Sequence, residues 1–334
     1  VVCYGSICVD QLVLLEEYPE PNAKVLTRGN RFLGGGNAGN VATCIARLSA
    51  SATARSVAVQ AILVSKVGSD SYGNMLQEEL RRDGVCMEHF IVKEGVTTPT
   101  TVVLVTEKEQ ARTCLHTAIS EFMKEEELDI DRLLSNSGAQ LFLDSRHPRA
   151  GIFLGTAALK KGIEVVVDME KVREGTETML CLASHLNTSS HFPAQYTGQD
   201  DLFSAAKAIL LKHTNIRCLT VTLGMSGSIM LRPSENTDGL QIVSSLEDIV
   251  LSHPTATIQP SSFACDGIHT VYCPAFDSGV PAVDTTGCGD AFLGALLFAA
   301  QQVPRPTDEE ALRFASVVAS FKTQYVGAKT GLPY

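Results

Sequence analysis

Apolar residues along this chain recur in two rhythms. Runs rich in β-branched residues at Val1–Val9, Ile62–Val67, Gln140–Leu143, Glu164–Asp168 and Cys218–Leu223 have the length and composition of buried strands. Segments with helical spacing lie between and after them: Val41–Leu48, Gly73–Asp83 with Met75, Leu76 and Leu80 on one face, Gly155–Lys161, Ala205–Lys212, Asp290–Gln302 and Glu309–Gln324. From about residue 138 onward the two kinds alternate, which predicts a mostly parallel, doubly wound α/β sheet with helices on both faces.

Three stretches break the rhythm. Residues 11–33 hold short strand-like pieces (Gln11–Leu15, Lys24–Leu26) around the turn signal Pro19-Glu20-Pro21-Asn22. Thr100–Val105 and Arg112–Thr117 alternate as a hairpin whose charged turn is Glu107-Lys108-Glu109-Gln110. Together residues 11–33 and 96–117 predict a small β lid on a single domain spanning 1–334. Residues 233–270 are rich in Ser, Thr and Pro and aperiodic, and are expected to form a surface excursion.

Charge and composition then exclude several classes. With 27 Lys plus Arg against 37 Asp plus Glu, the net charge is −10. That diffuse acidity argues against a nucleic-acid partner, which needs a clustered basic face. The apolar run Ala291–Ala300 is far shorter than the ~20 residues of a membrane span, so no membrane partner is expected. The ten cysteines form no C-x-x-C pair and no Cys/His cluster, which implies reduced thiols in a cytoplasmic compartment. No basic, apolar leader is present, although a chain that starts at Val leaves room for a trimmed organelle-targeting segment.

The chemistry concentrates at Asp284-Thr285-Thr286-Gly287-Cys288-Gly289-Asp290, just before an apolar helix. Small residues at a helix start leave main-chain N–H groups free to face an anion, and the helix dipole adds attraction. A carboxylate at the end of that turn, Asp290, would sit beside the anion and could accept a hydroxyl proton. Spacing alone weighs equally for Asp290 as a mere helix-terminus charge. A second glycine-rich turn, Gly34 to Asn40, fits G-x-G-x-x-G, but no Asp or Glu occurs from Asn40 to Ser69. A dinucleotide fold needs an acid about 20 residues on, so a dehydrogenase is disfavoured, and there is no G-x-x-x-x-G-K-[ST] loop.

Asp284–Asp290 closely resembles the D-T-x-G-A-G-D signature of the PfkB (ribokinase-like) carbohydrate and nucleoside kinases. Gly34–Asn40, followed by Val67-Gly68, Asp70, Gly73, Leu76, Leu80 and Gly84-Val85, resembles the family's first signature, about 200 residues earlier. The resemblance implies a ribokinase-like fold, ATP with Mg²⁺, and transfer of phosphate to a sugar hydroxyl. It implies Asp290 as general base and the amides of Gly287, Cys288 and Gly289 as the anion hole, with Cys288 where Ala is usual. Asp10, Gly36, Asn37 and Asn40 would hold the acceptor. Asp284 and Thr286 match positions that bind a monovalent cation such as K⁺ in some relatives, a structural cap being the equal alternative.

Within the family, Glu17–Val25 ahead of Gly35–Asn40, and Arg112-Thr113 on the lid, resemble ketohexokinase (fructokinase) and plant-type members; this implies a ketohexose or similar sugar and a role for Arg112 at the transferred phosphate. Thr222, Gly224 and Gly227 match the family's T-x-G-x-x-G loop near ATP, and Ser316 and Ala319 fall where relatives line the adenine pocket. Asn187-Thr188-Ser189-Ser190 lacks the Glu of the usual N-x-x-E, which orders Mg²⁺. A homodimer through the lid is expected. The rival readings are a ribose or nucleoside kinase of the same family and a catalytically silent binding protein.

Overall fold

The computed structural model describes residues 1–51, 56–106, 108, 111–135, 140–234, 240–242, 259–265 and 267–333. A ten-stranded sheet runs through the molecule. Ile62–Val64, Val2–Tyr4, Gln140–Asp144, Glu164–Met169, His185–Ser189 and Cys218–Thr222 lie side by side and parallel. Ser228–Pro233, Ile268–Cys273 and Ser261–Cys265 continue it antiparallel, and Gln241–Ile242 pairs at the edge. Parallel strands covered on both faces are apolar throughout rather than alternating, and these strands divide between two cores. Val2, Tyr4, Leu141, Leu143, Val165, Val167 and Leu219 face one side. Cys3, Leu63, Phe142, Val166, Cys218 and Met230 face the other, against Asn37–Ala50, Cys288–Ala300 and Asp308–Thr323. The doubly wound, mostly parallel α/β sheet is as expected from the sequence.

Four details differ. Val1–Val9 is not one strand: Val2–Tyr4 belongs to the large sheet and Cys8–Leu15 to the small one. The break is Gly5 at φ 148°, where a β-carbon would lie 2.1 Å from the Asp144 carboxyl carbon. Asp10 therefore sits inside a lid strand. Ile62–Val67 likewise splits at Ser65 into two short strands in different sheets. The lid sheet is Gly29–Gly35, Cys8–Leu15, Thr100–Thr106 and Ala111–Thr117 in spatial order. Gly29–Gly35, not Lys24–Leu26, is its second segment; its outward Asn30 and Arg31 hid the strand from an apolar search. The expected lid turn at Glu107, Glu109 and Gln110 lies outside the described residues.

The excursion expected over 233–270 is corrected in part. Ser261–Cys265 and Ile268–Cys273 form a hairpin of the main sheet, with Phe263, Ala264 and Ile268 buried. Thr270, Val271, Tyr272 and Cys273 are buried as well, but the Ser, Thr and His of the hairpin left no clear period in the sequence. Residues 235–239, 243–258 and 266 lie outside the described residues.

Several first-signature residues are architectural. Asp70 caps Ser71–Arg82 by accepting from Gly73 N at 2.8 Å, and takes Thr98 N and Oγ1 as well. Gly68 is needed because a β-carbon there would meet the Val96 carbonyl oxygen at 1.9 Å. Buried Arg47 pairs with Asp83 at 2.7 Å and donates to the Lys329 and Leu332 carbonyls, tying the C-terminal segment to Asn37–Ala50. Among the described residues no helix is long and apolar enough to cross a membrane.

Candidate active site

Two helix starts meet at the site. Cys288–Ala300 is apolar on every side and is buried from Ala291 to Ala299, so it packs against neighbours all round. It crosses Asn37–Ala50 at Gly294, where a β-carbon would lie 2.7 Å from Cys44 Cβ and 3.2 Å from the Val41 carbonyl oxygen. Cys44 Sγ also donates to the Ala291 carbonyl at 3.5 Å. This close crossing sets the two N-termini side by side, and Asn40 Nδ2 donates to Asp290 Oδ2 at 2.7 Å.

Asp290 is half-buried and its carboxyl is held well above the usual range. Burial is the main cause; Asp168, Glu170 and Asp144 add like charge, while the Asn40 bond opposes them. Raising the carboxyl makes its ionised form a stronger base, suited to take a proton from a hydroxyl.

The turn before it is tightly wired. Thr286 N and Oγ1 donate to Asp284 Oδ1 at 2.8 and 2.6 Å, and Gly327 N donates to Oδ2 at 2.7 Å. These bonds lower the Asp284 carboxyl against the burial that raises it. Gly287 has φ 74°, and a β-carbon there would come within 2.8 Å of Ala328 Cβ. Gly289 faces open space. The Cys288 amide donates to Thr285 O at 3.2 Å, so one of the three expected hole amides is engaged within the turn. Burial and Asp290 push the Cys288 thiol up, which keeps it protonated and unreactive. From the lid, Arg112 Nη1 donates to Thr286 Oγ1 and lies 3.9 Å from Asp284 Oδ1. The structure thus brings this lid cation to the Asp284–Asp290 turn.

On the lid side, Asp10 is 8% exposed, and Cys8 Sγ donates to its Oδ1 at 3.3 Å. Burial raises its carboxyl, opposed by Cys8, Thr101, Lys329 and Arg112. Its Oδ2 would touch any β-carbon at Gly35, 2.1 Å away, and one at Gly36 (φ 90°) would meet Ile7 Cα at 2.6 Å. Asn37 Nδ2 donates to Glu170 Oε1 at 3.3 Å. Asp10 thus lies against the glycine-rich turn that holds Asn37 and Asn40, and Asn40 reaches Asp290.

Sequence reading overlooked a row of acids that acts on Asp290. Strand register aligns Asp144, Asp168 and Asn187 across the C-terminal ends of three parallel strands. Asn187 Nδ2 donates to Asp168 Oδ1 at 2.6 Å, and burial with Glu170 nearby pushes Asp168 up to about 7. A carboxylate closing each of two apolar strand runs was the available signal, since α/β clefts open at strand C-termini.

Farther along the same edge, Thr222 Oγ1 donates to the Thr188 carbonyl at 3.5 Å, and Gly224 and Gly227 have φ 61° and 95° in the turn to Ser228–Pro233. Gly227 is forced by the Cys273 carbonyl oxygen, 2.1 Å from any β-carbon there. Ser316 is buried; its Oγ donates to Pro274 O at 3.2 Å and accepts from Phe276 N at 3.1 Å. Its hydroxyl thus braces residues 274–276, while Ala319 is half-buried one turn on. Among the described residues no group of three His, Cys, Asp or Glu has metal-holding geometry.

Comparison with known proteins places this geometry. The "pfkB family carbohydrate kinase" pattern matches residues 1–249 and 261–334. The chain is 24% identical over 341 residues to the ribokinase of Mus musculus, covering all of this chain and 92% of the relative. It is 25% identical over 352 residues to fructokinase-1 of Oryza sativa subsp. japonica, covering all of this chain and 94% of the relative. Arabidopsis thaliana ribokinase, solved with ribose and ATP, superposes with a TM-score of 0.75 at 21% identity, covering 99% of this chain and 95% of that one.

Proposed function

The chain belongs to the pfkB family of carbohydrate kinases, ATP-dependent phosphotransferases, and on that premise we propose that it phosphorylates a hydroxyl of a neutral pentose or ketohexose with Asp290 as general base. The observation that carries this reading is the Asn40–Asp290 bond, which joins the glycine-rich turn to the anion-binding turn. The sugar hydroxyl would lie against Asp290, with Asp10, Gly36, Asn37 and Asn40 holding the remaining hydroxyls.

As the oxygen attacks phosphorus, Asp290 takes its proton, and Asn40 Nδ2 keeps the carboxylate aimed. The amides of Gly287 and Gly289, the helix dipole and Arg112 face the charge that develops on the transferring group. Water exclusion falls to the lid, whose strand Ala111–Thr117 carries Arg112. Thr222, Gly224 and Gly227 border the nucleotide side, with Ser316 and Ala319 behind it.

Asn187 Oδ1 is buried with no hydrogen-bond partner beside Asp168, so an oxygen donor set suits the Mg²⁺ of MgATP even without the usual Glu. When bound, that ion would neutralise phosphate charge; Asp168, Asn187 and Glu170 would hold it, through water.

Charge around the site is mixed: Glu170 pairs with Arg146 and Arg173, and Arg112 reaches the turn beside Asp284, so the preference for a neutral acceptor rests on the named relatives. The ketohexokinase-like features sit beside relatives named ribokinase and fructokinase, so ribose and fructose are the first acceptors to try. We extend the reading to a homodimer through the lid, whose strand Ala111–Thr117 is paired on one side only among the described residues and so has a free edge for a partner. The test is ADP release from MgATP with ribose, fructose, adenosine and ribose 5-phosphate, alongside Asp290→Asn. Turnover of a neutral sugar that the variant loses supports the proposal; preference for the phosphorylated sugar refutes it.

A further inference from the structure

Lys322 stands on the buried stripe of Asp308–Thr323, with Leu312, Ala315 and Val318, and is 0% exposed. Lysine is almost never found so deep without partners. Its Nζ donates to the Asp284 carbonyl at 2.9 Å and to the Tyr325 carbonyl at 3.0 Å. The charge is thus solvated by main-chain carbonyl dipoles, the way a dehydrated monovalent cation is held. Burial lowers the ammonium and Asp284 supports it; Cys288 and the like-charged Arg112 are the other ionisable groups acting on it.

Much of the oxygen valence a free K⁺ would draw on here is engaged, and an ammonium already sits on one of the carbonyls. Asp284 spends Oδ1 on Thr286 and Oδ2 on Gly327, and its carbonyl on Lys322. Thr286 Oγ1 donates to Asp284 and accepts from Arg112. The residues at the expected cation position therefore do not fit a separate ion.

We propose that the Lys322 ammonium is a built-in cation for the anion-binding turn, so that this chain works without added K⁺. Val283 N and Asp284 N both donate to Thr323 O, at 2.7 and 3.0 Å. Ala328 in turn backs Gly287, leaving no room for a β-carbon. One ammonium bonded to both 284 and 325 locks the turn onto this wall. It also fixes a positive charge behind the amides, on the side away from the phosphoryl group. Lys322 is thus a positioning residue. The proposal rests on the kinase reading above, and its test has an arm that needs no turnover.

Wild-type protein is assayed with MgATP and acceptor while KCl replaces tetramethylammonium chloride up to about 100 mM, holding screening constant. The rate is expected to change less than twofold. Lys322→Ala is expected to lose about 100-fold in kcat without K⁺, the scale of a misplaced turn, and to regain about tenfold or more with K⁺ or ethylammonium. Thermal melting gives the turnover-free arm: KCl should raise the Tm of Lys322→Ala above its value in tetramethylammonium chloride and leave wild type unmoved. Activation or stabilisation of wild type specific to K⁺ overturns the proposal, as does a folded variant with no K⁺-specific response. If no acceptor turns over, melting still decides the cation question while the kinase reading fails alone. If the variant does not fold, the wild-type titration decides.

Discussion

Replacing Gly294 with alanine tests whether helix packing, rather than the site residues alone, sets the chemistry. The added β-carbon would start 2.7 Å from Cys44 Cβ, whereas ordinary contact begins at 3.4 Å. Both atoms sit directly on helix backbones, so neither side chain can turn away. The helices must separate by about 0.7 Å, the difference between those distances. Asp290 lies one turn from Gly294, and its 2.7 Å bond to Asn40 spans the same seam. Opening by that amount carries the bond to about 3.4 Å, past the usual range of about 2.7–3.2 Å and correspondingly weaker.

Overpacking opposes stability by about 1–3 kcal/mol, and alanine's better helix propensity returns about 1 kcal/mol. Net stability should therefore fall by no more than about 2 kcal/mol, read by urea melts. Rate is the sharper readout: a shift approaching 1 Å at the base should lower kcat about 10- to 100-fold with little change in KM for ATP. Cys44→Gly removes the opposing β-carbon, so the Gly294→Ala/Cys44→Gly double variant should regain most of the lost kcat despite its own helix penalty. Wild-type kcat in Gly294→Ala, or no rescue in the double variant, would refute the idea that this seam positions Asp290.

Asp168→Asn removes a like charge that raises Asp290, so the acid limb of the kcat profile should move to lower pH. Asp168 itself is raised to about 7, so its ionisation weakens the fold progressively from about pH 4, its ordinary value, through 7. The same variant should accordingly melt higher at pH 8, by about 1–2 °C per kcal/mol recovered, and no higher near pH 4. An unmoved acid limb would show that the row of acids does not couple to the base. Arg112→Ala should lower kcat about 10- to 100-fold, as loss of one charge-stabilising donor does. Its side chain is 41% exposed, so melting should hardly change. Loss of stability without loss of rate would make Arg112 a lid strut instead.

The parts of this protein carried by local pattern were legible in its sequence. Apolar strand runs specify burial on both faces, and the two glycine-rich turns stand out ahead of their helices. The roles proposed for Asp290, Asn40 and Arg112 came from the resemblance to a family of kinases, since spacing alone left Asp290 equally a helix-terminus charge. Tertiary structure decided what depends on distant segments. Asp10 moved from the main sheet to the lid because Gly5 bends around the Asp144 carboxylate, a contact 139 positions away in the numbering. Strand register, invisible in any one run, set Asp144, Asp168 and Asn187 in a row. Lys322 carried no signal in the sequence; only folding puts its ammonium under the Asp284 carbonyl. Sequence pattern specifies which face a residue turns inward, whereas the partner it meets there depends on how separate elements pack, and long-range partners set both hydrogen bonds and the charge a buried group can keep.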